Sequence, residues 1–307
     1  MKCIICKTPK DEKDLNEEHV FPDSIGGEYK IHNVCKDFNS HLGKTIDSKF
    51  IKSGVIRAIN HDLKIENKKG KVVPAFPNIV VDPNDNSIRL KPMWDNKGNL
   101  KDTEFETTIK GNTVKYDETK SLNTILSELD ILYKKDRIPV LKGIEDEEEK
   151  YNKFLEIKED FKQKYEKNEF TSSKEPIEQR LETFGEEIIL ESLKISYELT
   201  HEILGEEYFN DPLCEIFRDY LLKGKLDDDF ESKIIFKGFY EPINNAFNFH
   251  HFILFNINNT LVSGVTLYNT FVSIFIVSKD AKRYNLKEDK YIIFNEPQDN
   301  NNNSVMV

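Results

Sequence analysis

Apolar positions recur along this chain in several rhythms, each implying a different element. Up to about Lys52 the sequence is polar and short-looped, with Gly26-Gly27 as a tight turn and a helix expected from Cys35 or Lys36 through Ser48. From about Val55 to Glu118, β-branched or alternating runs (Lys71-Val72-Val73, Asn78-Ile79-Val80-Val81, Ser87-Ile88-Arg89-Leu90, Glu104-Phe105-Glu106) are separated by turn signals at Pro83–Asn86, Asn96-Lys97-Gly98 and Lys110-Gly111-Asn112. That pattern predicts antiparallel hairpins. Leu122, Ile125, Leu126, Leu129 and Leu132 then follow helical spacing, and Pro139 ends the element.

Residues 144–169 are dense in charge, with apolar residues only at Tyr151, Phe154, Leu155, Ile157, Phe161 and Tyr165, and read as a solvated helix lying against one face. After Pro176, the set Leu181, Phe184, Ile188, Ile189, Leu193, Ile195, Tyr197 and Leu199 predicts a long buried helix to about Leu204, followed by another from Pro212 to Leu222. The last third changes to β-branched and aromatic runs broken by Asn and Gly (IIFKGFY, HHFILFNINN, TLVSGVTLYN, TFVSIFIVS), expected as strands of a second sheet. The tail Gln298–Asn303 is of low complexity and expected to fray.

The fold class that follows is α+β: a compact module over 1–52, a β-rich hairpin region with a closing helix over 53–140, and a helical plus β region over 141–307. At 307 residues the chain exceeds the usual single core, and 38% hydrophobic against 32% charged residues excludes wholesale disorder. The formal charge of −11 argues against coating nucleic acid by bulk electrostatics, so a polyanion partner needs a local site. Within 1–52 nine lysines face nine acidic residues, which places the acidity downstream. The N-terminus lacks a signal-peptide core and no apolar stretch has membrane-spanning length, so the expected setting is cytoplasmic, without a membrane partner.

Candidate chemistry is concentrated near the N-terminus. Three of four cysteines lie at positions 3, 6 and 35, and a C-x2-C pair outside a thioredoxin-like setting points to metal rather than redox work. Cys214 is expected to be a buried free thiol, and His61, His201, His250 and His251 to be surface or satisfied core residues. The order of residues carries more information: Cys3-Ile4-Ile5-Cys6, then Glu18-His19-Val20-Phe21-Pro22, then Gly26-Gly27, then Asn33-Val34-Cys35-Lys36-Asp37-Phe38-Asn39. Adjacent residues on a strand face opposite sides, so Glu18 and His19 can serve one phosphate only through a turn, and Gly26-Gly27 supplies it.

This order resembles the HNH, or ββα-metal, endonucleases in their zinc-knuckle, treble-clef variant, over residues 3–50. The resemblance implies that His19 is the general base acting on water, and that Glu18 and Asn39 bind one Mg²⁺ or Mn²⁺. It further implies that Asn33 orients His19 through backbone contacts, and that Cys3, Cys6 and Cys35 hold a structural zinc. The family's second knuckle ends in cysteine where this chain has Phe38, so the fourth ligand is open: His41 or His32 could supply it, or zinc is lost and Phe38 fills the space. The implied function is metal-dependent hydrolysis of DNA phosphodiesters, in phage defence or a mobile element, contacting the sugar-phosphate backbone. The alternative is a non-catalytic, zinc-stabilised nucleic-acid-binding or adaptor protein, which needs the cysteines but not Glu18, His19 or Asn39. Residues 53–307 match no motif with derivable chemistry; they are expected to serve assembly as a homodimer, or control through a regulatory protein or ligand.

Overall fold

The computed structural model describes residues 1–67, 69–76, 80–81, 85, 87–169, 185–239 and 249–295. The chain divides into two compact units, one of residues 1–73 with 182–307 and one of residues 74–181. The sequence suggested stretches of 1–52, 53–140 and 141–307; the observed first unit instead unites the two ends of the chain.

The first unit opens with strands β1 (Leu15–His19) and β2 (Lys30–Cys35), an antiparallel hairpin with an irregularity between Asn16 and Glu18. Helix α1 (Lys36–Leu42) follows directly, passes through a π turn at Gly43–Asp47 and continues as α2 (Ser48–Lys52), beyond the expected end at Ser48. A π turn is a wide turn often found at functional sites, and this one contains Asp47. Helix α3 (Gly54–Asp62) replaces the expected start of the hairpins, because Ile56 and Ile59 recur at helical spacing and pack into the core. The expected strand at Lys71-Val72-Val73 is reduced to an isolated bridge between Glu66 and Val72.

The second unit contains β3 (Val80–Val81), β4 (Arg89–Trp94) and β5 (Leu100–Phe105) in one antiparallel sheet, then the hairpin β6 (Thr108–Lys110) and β7 (Thr113–Lys115). The turns at Gly98 and Gly111 lie where the sequence placed them, with φ of 76° and 58° in the left-handed region that glycine tolerates. Helix α4 (Leu122–Lys134) starts at Ser121, whose hydroxyl accepts from Thr124 N, and α5 (Glu147–Glu166) starts at Asp146, which accepts from Glu149 N. Helix α5 buries Phe154, Ile157 and Phe161 along one stripe and leaves its charges outside, as its spacing predicted.

The chain then returns to the first unit with α6 (Glu186–Leu204) and α7 (Pro212–Lys223). These precede the antiparallel sheet β8 (Ile234–Phe239), β9 (His250–Ile257), β10 (Thr260–Leu267), β11 (Phe271–Ser278) and β12 (Lys290–Asn295), in the order β12-β9-β10-β11-β8. Strand β12 is an addition to the expected four. Asn258 and Asn259, both at positive φ, make the two-residue turn between β9 and β10. Fifteen of the nineteen residues of α6 are buried, because one side packs on the sheet and another on the N-terminal module. One core cluster accordingly joins Phe21, Val34 and Phe50 to Leu193, Phe217 and Phe275. Each fully buried side chain of this kind contributes about 1.5–3 kcal/mol relative to exposure, so the module rests on the C-terminal half. Pro176, Leu181 and Phe184 of the expected long helix lie outside the described residues, as do Asn78, Ile79, Pro83, Asn84, Asn86 and the tail Gln298–Asn303. Among the described residues no helix is long and apolar enough to cross a membrane.

Candidate functional site

The turn after Cys3 is closed by Lys7 N–H donating to Cys3 O at 2.9 Å, with Lys7 at φ 60°. Ile4 N–H donates to Asn33 O at 2.9 Å and Cys35 N–H to Cys3 Sγ at 3.3 Å, which bring the first turn against the end of β2. The sulfurs of Cys3, Cys6 and Cys35 consequently lie within 4.8 Å of one another. The C-terminal helices brace this turn: Tyr197 OH donates to Ile4 O at 2.6 Å, and Arg218 to Ile5 O at 3.2 Å. Burial pushes the Cys3 thiol up to about 11, so a thiolate there at neutral pH requires a cation. Three converging soft donors fit zinc. Neither ring nitrogen of His41 is among the ligand atoms that converge with the three sulfurs, and its Nε2 lies 2.9 Å from Leu222 O. Phe38 packs on the core with its ring edge-on to His41, at 6.3 Å between centroids.

Strand β1 presents His19 and Glu18 to different surroundings. His19, with its side chain 27% exposed, lies near Glu17, which Lys30 holds below the usual carboxylate range by an ion pair at 2.5 Å. His19 Nδ1 is 3.0 Å from Gly27 O. Because a carbonyl only accepts, this contact puts a proton on Nδ1, while Nε2 lies 4.0 Å from Glu17 Oε1. Gly27 reaches this position because it has no side chain: a Cβ would come within 1.8 Å of Phe21 O. Gly26, at φ 81°, ends the short 3-10 turn Asp23–Ile25 and sends the chain back.

Asn33 Nδ2 is 3.5 Å from Glu202 Oε2, and its Oδ1 is buried without a hydrogen bond; the carbonyl that meets the His19 ring is that of Gly27. Asn39, on α1, donates from Nδ2 to Glu17 O at 3.1 Å. This leaves Asn39 Oδ1 as a hard oxygen donor of the type that suits Mg²⁺ or Mn²⁺.

Glu18 is 4% exposed and faces the core, where Lys194 Nζ lies 2.7 Å from its Oε1. Lys194 also meets Asp47 Oδ1 at 3.0 Å, Glu191 Oε1 at 3.9 Å and His19 O at 3.4 Å. Burial alone would discharge Lys194, but Asp47, Glu198, Glu18 and Glu191 around it hold its pKa well above the ordinary value, so it remains an ammonium. Glu191 and Glu198 are fully buried, their carboxyl oxygens accept no hydrogen bond, and burial raises both well above the usual range. Burial raises the Glu18 carboxyl above the usual carboxylate range, against the pull of Lys194 in the other direction.

Sequence reasoning missed Lys194 and Asp47. Glu191, Lys194 and Glu198 stand at the spacing of a solvated face, so nothing in the sequence marked Lys194 as interior.

Neither the curated proteins nor the solved structures compared with this chain match it. Residues 3–54 match the family model described as HNH endonuclease, which shows the resemblance read from Cys3 through Asn39 for this stretch of the chain.

Proposed function

We propose that this protein is a divalent-cation-dependent endonuclease that hydrolyses phosphodiester bonds in DNA. The observation that carries the reading is His19 on the open side of the hairpin, with Nδ1 at Gly27 O and Nε2 unengaged by that contact, within a stretch that matches the HNH endonucleases. In this reading His19 Nε2 takes a proton from water as the water oxygen attacks phosphorus and the bond from phosphorus to the 3′ oxygen breaks. Glu18 and Asn39 would hold Mg²⁺ or Mn²⁺, whose charge offsets that developing on the phosphate and the leaving oxygen. Cys3, Cys6 and Cys35 would hold a structural zinc that fixes the first turn against β2. One such site cuts one strand, so cleavage of both strands is most simply supplied by a homodimer.

The reading is tested on supercoiled plasmid DNA with purified full-length protein. Conversion to nicked or linear DNA is expected with Mg²⁺ or Mn²⁺ and not with chelator. DNA binding without conversion under either ion contradicts it and assigns the module to binding alone.

A further inference from the structure

The environment of Glu18 is supplied by a distant part of the chain. Lys194 has three N–H donors, and three acceptors meet them: Glu18 Oε1 at 2.7 Å, Asp47 Oδ1 at 3.0 Å and His19 O at 3.4 Å. These belong to the proposed metal-binding carboxylate, to the π turn that ends α1, and to the backbone of the proposed base. The Lys194 side chain has no exposure, and a buried ammonium is costly unless it is paired and fully bonded. A fold that needed only apolar packing here would be served as well by leucine. What lysine adds is direction: one rigid helix ties together two adjacent residues of β1 and the π turn beyond α1.

The tie also orders the two faces of the strand. Glu18 is drawn inward by one oxygen, while the carbonyl of His19 is held on the same ammonium and its ring is held from the other side by Gly27 O. With backbone and ring both fixed, Nε2 has a defined position relative to Glu18. Misplacement of a reacting group by about 1 Å can cost on the order of 10²-fold in rate.

We propose that Lys194 is a positioning residue of the nuclease site, holding the Glu18 carboxylate and the end of β1 in the arrangement that cleavage requires. The inference rests on the reading of Glu18 and His19 as nuclease residues. It makes α6, outside the stretch that matches the family model, part of the site.

The test is single-turnover cleavage of plasmid DNA by the full-length protein in excess, at saturating Mn²⁺, which separates a rate constant from the amplitude set by the active fraction. Lys194→Met is expected to lower the rate constant by roughly 10- to 100-fold while thermal unfolding stays cooperative. Asp47→Asn, which loosens the ammonium from its other side at a position 21% exposed, is expected to lower it by about tenfold, and decides the matter if Lys194→Met does not fold. Unchanged rate constants, with only the amplitude reduced, would make Lys194 merely structural and overturn the proposal. A His19→Ala protein cleaving at the wild-type rate constant would instead remove the nuclease reading beneath it.

Discussion

The thiol cluster and the lysine–carboxylate cluster are both polar groups inside the first unit, yet they are assembled over very different distances along the chain. Cys3 and Cys35 are 32 positions apart and are joined by local turns, whereas Lys194 reaches Asp47 across 147 positions and the carbonyl of His19 across 175. The first cluster offers soft donors suited to an added ion; the second already carries its cation as a side chain. In the proposed reading the difference separates two kinds of dependence: the thiol turn would depend on metal, while the surroundings of Glu18 depend on the folding of the C-terminal half onto the module.

The largest expected effect comes from breaking the local cluster. Cys3→Ser or Cys35→Ser should release zinc and unfold roughly the first 50 residues, because apparent binding energies of structural zinc in small modules are about 10–16 kcal/mol. Zinc content and hydrogen exchange over residues 1–50 check this, and retention of zinc in Cys35→Ser would end the distinction drawn above.

A second effect sharpens the remote contacts. His250 is wholly buried, accepts at Nδ1 from Tyr268 N–H at 3.0 Å and donates from Nε2 to Ile25 O at 3.1 Å, across 225 positions. Acceptance at Nδ1 requires the neutral ring, and burial lowers its pKa to about 4. A folded-state value below the ordinary one near 6.5 means that the unfolded chain binds the proton more tightly. Stability is therefore fully present above about pH 6.5 and is lost as pH falls toward 4, by about 3 kcal/mol in total. Denaturant unfolding at several pH values should show this slope, and His250→Gln should remove part of it; an unaltered slope would assign the acid sensitivity elsewhere.

Gly27→Ala comes next. The added carbon meets the Phe21 carbonyl, so the turn must move and take with it the acceptor of His19. A loss of about 2 kcal/mol in stability and on the order of 10²-fold in cleavage is expected. Cleavage at the wild-type rate would show that Gly27 O does not set the base. The smallest effect belongs to the second unit: Asp146→Ala removes the cap of α5 and should cost about 1 kcal/mol. The loss should appear in the local stability of residues 74–181 by hydrogen exchange, with protection of the thiol turn unchanged.

How legible each part was in the sequence follows from the range of its contacts. Cys3, Cys6 and Cys35 converge as their spacing implied, and the turns at Gly98 and Gly111 stand where glycine punctuates alternating runs. His19 beside Gly26-Gly27 was visible as well, but the carbonyl of Gly27 that meets its ring has no sequence signature. Lys194 was hidden for a different reason. Glu191, Lys194 and Glu198 stand three and four residues apart, the spacing of a solvated ion-paired face, and only the packing of residues 1–52 against that face makes it interior. His41 was a doubtful ligand from its place on the helix beyond Cys35, and it does not converge with the thiols; its Nε2 meets Leu222 O of α7 instead.

If His19 acts on DNA from the open side of β1, plasmid cleavage by wild-type protein and by His19→Ala at equal Mn²⁺ shows it most directly. A loss on the order of 10²- to 10⁴-fold in rate is expected, with zinc content and cooperative unfolding unchanged. Equal cleavage by the two proteins would contradict it.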